Sequence, residues 1–137
     1  MNFFFSLFSG LQYAEGIITG SNSRCVALLK ALKEFIQDYT TPVNTELSRD
    51  LNDKLKPQIT FLKECRPISV SMGNAIRYLK SKINGLKPAI PEKEAKEILV
   101  ESIDEYIYHN IDLAAEQIAI TACEKIREGD VLLTYGW

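Results

Sequence analysis

One stretch constrains the fold more than any other: Gly20 to Pro42, GSNSRCVALLKALKEFIQDYTTP. Cys25, Leu28, Leu29, Leu32, Phe35, Ile36 and Tyr39 recur at spacings of three and four, which lays a wide apolar stripe along one α-helix. Ser21, Asn22 and Ser23 stand ahead of it and offer side-chain oxygens to the orphan amides of a first turn. Thr40-Thr41-Pro42 ends it, because the residue before a proline is pushed out of the helical region. A helix with so broad an apolar face is not stable alone in water. The chain must supply other elements to bury it.

Three further patterns fit that requirement. Asn44 to Cys65 carries Leu47, Leu51, Leu55, Ile59 and Leu62 on one face, with Asn44 or Thr45 as the expected cap. The apolar phase survives across Pro57, so the spacing predicts one kinked helix rather than two. After Cys65-Arg66-Pro67, Ser69 and Ser71 are placed to cap a helix with Met72, Ile76, Leu79 and Ile83 inward, stopped at Asn84-Gly85. Pro91 opens the longest pattern, to about Arg127, through Ala95, Leu99, Ile103, Ile107, Ile111, Ala114, Ile118, Ala122 and Ile126. It reads as one helix of about 36 residues, long for a globular element, with a break near His109-Asn110 as the alternative. Ahead of all these, Met1 to Gly20 reads as a short, glycine-weakened helix with Leu11, Ala14, Ile17 and Ile18 inward.

At the other end the period changes. Val131, Leu132, Leu133 and Tyr135 form a β-type run behind Gly129-Asp130, like the first strand of an α/β domain. A lone strand cannot satisfy its own backbone groups, so the chain reads as truncated. The expected fold class is therefore all-α, an antiparallel bundle of about five helices ending in one short strand.

With 137 residues, the chain has the size of one domain able to bury about two-thirds of its unfolded surface. Net charge is only −2, but unevenly spread. Arg24 to Lys87 holds twelve Lys or Arg against six Asp or Glu, whereas Pro88 to Trp137 holds four against eleven. A basic half and an acidic half suit an acidic partner, although solvated helix faces explain the same distribution. Cys25, Cys65 and Cys123 have no metal-ligand spacing, and an odd count argues against a disulfide framework. Cys25 and Cys123 fall on apolar stripes and are read as buried thiols. Phe3, Phe4, Phe5, Leu7 and Phe8 lack the preceding positive charge of a signal peptide, and no stretch approaches the roughly 18 to 20 apolar residues of a membrane span.

Catalytic chemistry has little to stand on. The sequence lacks a nucleophile elbow, a P-loop, a dinucleotide fingerprint and a zinc pattern, so no cofactor or metal and no enzymatic activity are expected. His109, the only histidine, sits among acids in mid-helix, where a surface role outweighs catalysis. Two places suit an anion. Ser21, Asn22 and Arg24 surround a helix start whose amides attract phosphate, though capping explains them as well. Arg66 stands next to Ser69 and Asn74, a fork-shaped guanidinium at the next helix start; the plainer reading has it bonding carbonyls of the preceding helix. Few aromatics interleave the basic residues, so nucleic-acid reading is not expected.

Taken together, GSN-R-C, QDYTTP, CRP-S-SM-NAI, EAKEILVESIDEYIYHNIDLAAEQIA and GDVLLTYG resemble, in this order, the delta-subunit family of eukaryotic translation initiation factor 2B. The resemblance runs from about Leu11 to Gly136. It implies an atypical segment at 1–10, a helical N-terminal domain at 11–129 and, at 130–137, the first strand of a Rossmann-like domain. That fold is shared with ribose-bisphosphate and methylthioribose-phosphate isomerases, whose RPT-AV segment is similar to Arg66 to Val70; their catalytic residues lie in the C-terminal domain. The implied role is regulatory and cytosolic. Expected partners are the alpha, beta, gamma and epsilon subunits of factor 2B and the alpha subunit of initiation factor 2. Residual sugar-phosphate binding, or a non-functional truncated product, are the alternatives.

Overall fold

The computed structural model describes residues 15–133, and their regular elements are all helices. Helix α1 (Ser21–Asp38) is the predicted stripe. Its start differs from expectation: Gly20 is the N-cap, and no side chain caps the helix. Gly20 takes φ 82° and ψ 156°, a left-handed backbone open to glycine. This turns the chain into the helix one residue earlier, so Ser21, Asn22 and Ser23 lie inside the first turn instead of ahead of it.

Helix α2 (Leu47–Cys65) runs unbroken through Pro57, which is exposed. Its N-cap is Glu46, without a side-chain hydrogen bond. Neither Asn44 nor Thr45 caps it: Asn44 is turned to φ 63°, and the Thr45 hydroxyl donates instead to the Pro42 carbonyl at 2.7 Å. Helix α3 (Val70–Asn84) is capped as predicted, Ser69 Oγ accepting from the Met72 amide. Helix α4 (Glu92–Ile107) continues through a π-helical turn, Tyr108–Asp112, into α5 (Leu113–Cys123).

The π turn has a cause in the sequence. From Ala95 to Ile111 the stripe repeats every four residues, and each step overshoots an ideal α-helical turn by about 40°. Four such steps carry the stripe well off the bundle; a wider turn resets the phase. At His109-Asn110, where a break is the alternative to one long helix, a π turn keeps the rod continuous.

Helices α1 and α3 begin at the same end, where Ser71 meets Ser21. The other two run the opposite way: Lys96 near the start of α4 meets Gln37 at the end of α1, and Asn52 near the start of α2 meets Asn84 at the end of α3. Helix α1 packs on α3 and α4, α3 on α4 and α2. Their stripes form one core, in which Leu29, Ile36, Leu55, Met72, Ile83, Leu99 and Ile103 are wholly buried.

Two expectations at the ends are not met within the described residues. Residues 15–20 form turns rather than helix, and Leu11 and Ala14 lie outside the described residues. No strand occurs among the described residues; Val131 and Leu133 are 95% and 98% exposed, and Tyr135 lies outside them. Beyond the π turn the stripe also loses its cover, so Ile118, Ala122 and Cys123 are exposed. Cys123 is therefore not the buried thiol its spacing suggested. The helix stops at Cys123 rather than near Arg127.

Candidate functional site at the paired helix starts

The starts of α1 and α3 lie side by side because both helices set out from the same end of the bundle. Ser69, the α3 cap, lies 2.9 Å from the Ser71 hydroxyl, and Ser71 donates to the Ser21 carbonyl at 3.2 Å. Arg24 turns inward, 8% exposed, and its guanidinium donates to the Pro67 carbonyl. A buried guanidinium needs hydrogen bonds, and here it fastens α1 to the α2–α3 elbow. The expected charge for an anion is thus spent on backbone.

Next to it, the Cys25 thiol is pushed up by burial, a shift partly opposed by the neighbouring Ser71 hydroxyl. A thiol held protonated in this way is a poor nucleophile. Tyr106 closes the far side, its ring 4.8 Å from Tyr78, and burial raises its hydroxyl first of all.

The candidate residues therefore divide. Ser21, Arg24 and Ser69 meet at one junction, and each is occupied by structure. Asn22 is exposed and lines a different hollow with Ile18 and Ile111. Asn74 is exposed on α3, its carbonyl oxygen accepting from Arg77 at 3.4 Å. Arg66 caps the end of α2 with its backbone amide, which donates to the Leu62 carbonyl; among the described residues its guanidinium makes no hydrogen bond or ion pair. The fastening to carbonyls expected of Arg66 is performed by Arg24.

A second polar cluster, at the opposite end, was not legible. The Thr41 amide donates to Glu92 at 2.8 Å, and Lys96 reaches both Glu92 at 2.9 Å and the Gln37 carbonyl at 3.2 Å. The Thr41 amide, first, and then Lys96 hold the Glu92 carboxyl below its ordinary value. Tyr39, 5% exposed, donates to Asp50 and ties α1 to α2. His109 is exposed on the π turn, edge-on to the Tyr108 ring at 5.0 Å, away from both clusters.

A four-helix core whose first and third starts are tied by an arginine and serines defines a helical bundle domain, and no cluster that could hold a metal ion occurs among the described residues. The model of the initiation factor 2 subunit family matches residues 17–137, and the chain belongs to that family. Among its relatives are delta subunits of eIF2B and, at 28 to 33% identity, ribose 1,5-bisphosphate and methylthioribose-1-phosphate isomerases. The chain is 50% identical to the translation initiation factor eIF2B subunit delta of Schizosaccharomyces pombe over 126 residues, 92% of this chain and 27% of that protein. The crystal structure of eIF2B delta from Chaetomium thermophilum superposes with a TM-score of 0.88 at 44% identity, covering 92% of this chain and 46% of that one. The tetrameric eIF2B beta2-delta2 complex from the same organism matches with a TM-score of 0.88 at 44% identity, over 91% of this chain and 40% of that one. The chain thus spans less than half the length of these relatives, over their helical part.

Proposed function

We propose that this chain acts as a non-catalytic subunit module of the guanine-nucleotide exchange factor for translation initiation factor 2. In this reading the bundle joins other factor 2B subunits and contributes to recognition of the factor 2 alpha subunit, in the cytosol. The observation that carries it is the likeness to delta subunits at 44 to 50% identity across more than nine-tenths of the chain, one of them solved as a beta2-delta2 assembly. No helix among the described residues is long and apolar enough to cross a membrane.

The domain reading belongs to the same proposal: 1–10 an atypical segment, 11–129 the helical domain, and 130–137 the opening strand of a Rossmann-like domain. For the acidic partner the favoured surface is the outer side of α2 and α3. Lys54, Lys56, Lys63, Arg77, Lys80 and Lys82 are all exposed there, and Arg66 stands at the elbow between the two helices. Opposite potentials speed and orient such docking.

Purified chain, shown folded by its helical circular dichroism, is to be tested against immobilised beta subunit and against the factor 2 alpha subunit. Retention on both is expected. Lys80→Glu with Lys82→Glu weakens capture of the alpha subunit at least tenfold and leaves beta-subunit binding unchanged. A folded chain retained by neither partner overturns the proposal.

A further inference from the structure

An open hollow of about 470 Å³ lies between the outer side of α1 and the π turn, lined by Ile18, Asn22, Ser23, Val26, Ala27, Lys30, Ile111 and Asp112. Ile111 and Ile18 both pack onto the core's edge. From Ile111 the apolar floor continues at helical spacing through Ala115, Ile118 and Ala122, where Ile118 is 70% exposed. So much contiguous apolar surface, on a helix whose mean hydropathy is high, marks a contact site. None of α1 to α4 covers it, since Ala115 to Cys123 are all exposed.

We propose that this groove is the docking site of the chain's own residues Phe3–Tyr13. The entry point argues for it: Ile18, five residues after Tyr13, already forms one wall of the groove. Reach agrees as well. The floor from Ile111 to Ala122 is about 17 Å long at 1.5 Å per helical residue, and the ten steps from Phe3 to Tyr13 span at least about 15 Å even if wound as tightly as a helix. The chemistry matches too. Phe3, Phe4, Phe5, Leu7, Phe8 and Leu11 are apolar, and residues 1–14 contain no Asp, Glu, Lys or Arg. The groove holds apolar surface that α1 to α4 leave uncovered, and an apolar segment laid into it takes both surfaces out of water at once. The inference does not depend on the role proposed for the chain in translation.

Two measurements test it on the full chain. The first introduces Phe5→Cys and Ala115→Cys in a Cys65→Ser, Cys123→Ser background and applies a short bis-maleimide. A cross-link within the monomer is expected; no cross-link, or only cross-linked dimers, overturns the proposal. The second follows amide exchange. Phe5→Asp with Phe8→Asp accelerates exchange at residues 113–118 at least tenfold while leaving Leu28 to Leu32 unchanged. Unchanged exchange at 113–118, or native protection that falls on dilution as for cover by a second copy, also overturns it. Phe5 and Phe8 precede α1 in the sequence, and unchanged exchange at Leu28 to Leu32 shows that the bundle is folded.

Discussion

Two regions of this chain carry comparable apolar residues at comparable spacing and end in opposite environments. In α1 to α4 the stripes close on one another, and Leu29, Leu55, Leu99 and Ile103 are fully buried. Past the π turn, Ile118 and Ile126 extend the same stripe, yet they are 70% and 45% exposed, and Leu133 beyond them is 98% exposed. Periodicity shows which face of an element needs cover; it does not show whether α1 to α4 supply that cover. The difference lies in neighbours. Helices α1 and α3 both pack on α4, whereas α5 continues past the end of the bundle.

Substitution at matched leucines tests this contrast most directly. Leu99→Ala removes a side chain packed on every side and is expected to cost about 3 to 4 kcal/mol by urea unfolding. Leu133→Ala stays within about 0.5 kcal/mol of the native chain, as exposed positions do. Equal costs would break the comparison. An intermediate cost for Ile118→Ala would sharpen it, since that position borders the proposed docking groove.

The two arginines at the α2–α3 elbow repeat the contrast at smaller scale. Arg24 is buried and holds the Pro67 carbonyl, so Arg24→Met leaves that acceptor without its donor and costs roughly 1 to 3 kcal/mol. Arg66→Met, which removes no hydrogen bond among the described residues, is expected within about 0.5 kcal/mol. A larger loss at Arg66 than at Arg24 would reverse the assignment of the structural arginine.

What the sequence made legible follows the same line. The inward stripes of Cys25 to Tyr39, Leu51 to Leu62, Met72 to Ile83 and Ala95 to Ile103 were readable because burial repeats with the helix. The Ser69 cap was readable because a serine ahead of an apolar run has one local use. The start of α1 was not, since Gly20's positive φ competes with three plausible capping residues in a row. Nor was the exchange of roles between Arg24 and Arg66, because the deciding partner is the Pro67 carbonyl, a backbone atom brought near only by the tertiary fold. Cys123 misled for the reason α5 does: its spacing is that of a core residue with no core beside it.

The smallest expected effect lies at the end of the bundle far from the paired helix starts, where Glu92 joins the α1–α2 loop to α4. Its carboxyl accepts from the Thr41 amide and faces Lys96, which together hold it below the ordinary glutamate value of 4.5. A carboxyl that ionises more readily folded than unfolded stabilises the folded state fully above that ordinary value. The contribution fades as pH falls through the lower folded value. Glu92→Gln is therefore expected to be less stable than the native chain at pH 7, with the gap narrowing steadily below about pH 4.5. Part of the loss is permanent, because an amide oxygen accepts from the Thr41 amide more weakly than a carboxylate. Urea midpoints of both chains measured from pH 3 to 7 follow the difference. A gap that stays constant or widens on acidification would remove Glu92 as the tie between loop and helix, leaving Tyr39 with Asp50 and Lys96 with Gln37 as the fastenings at that end.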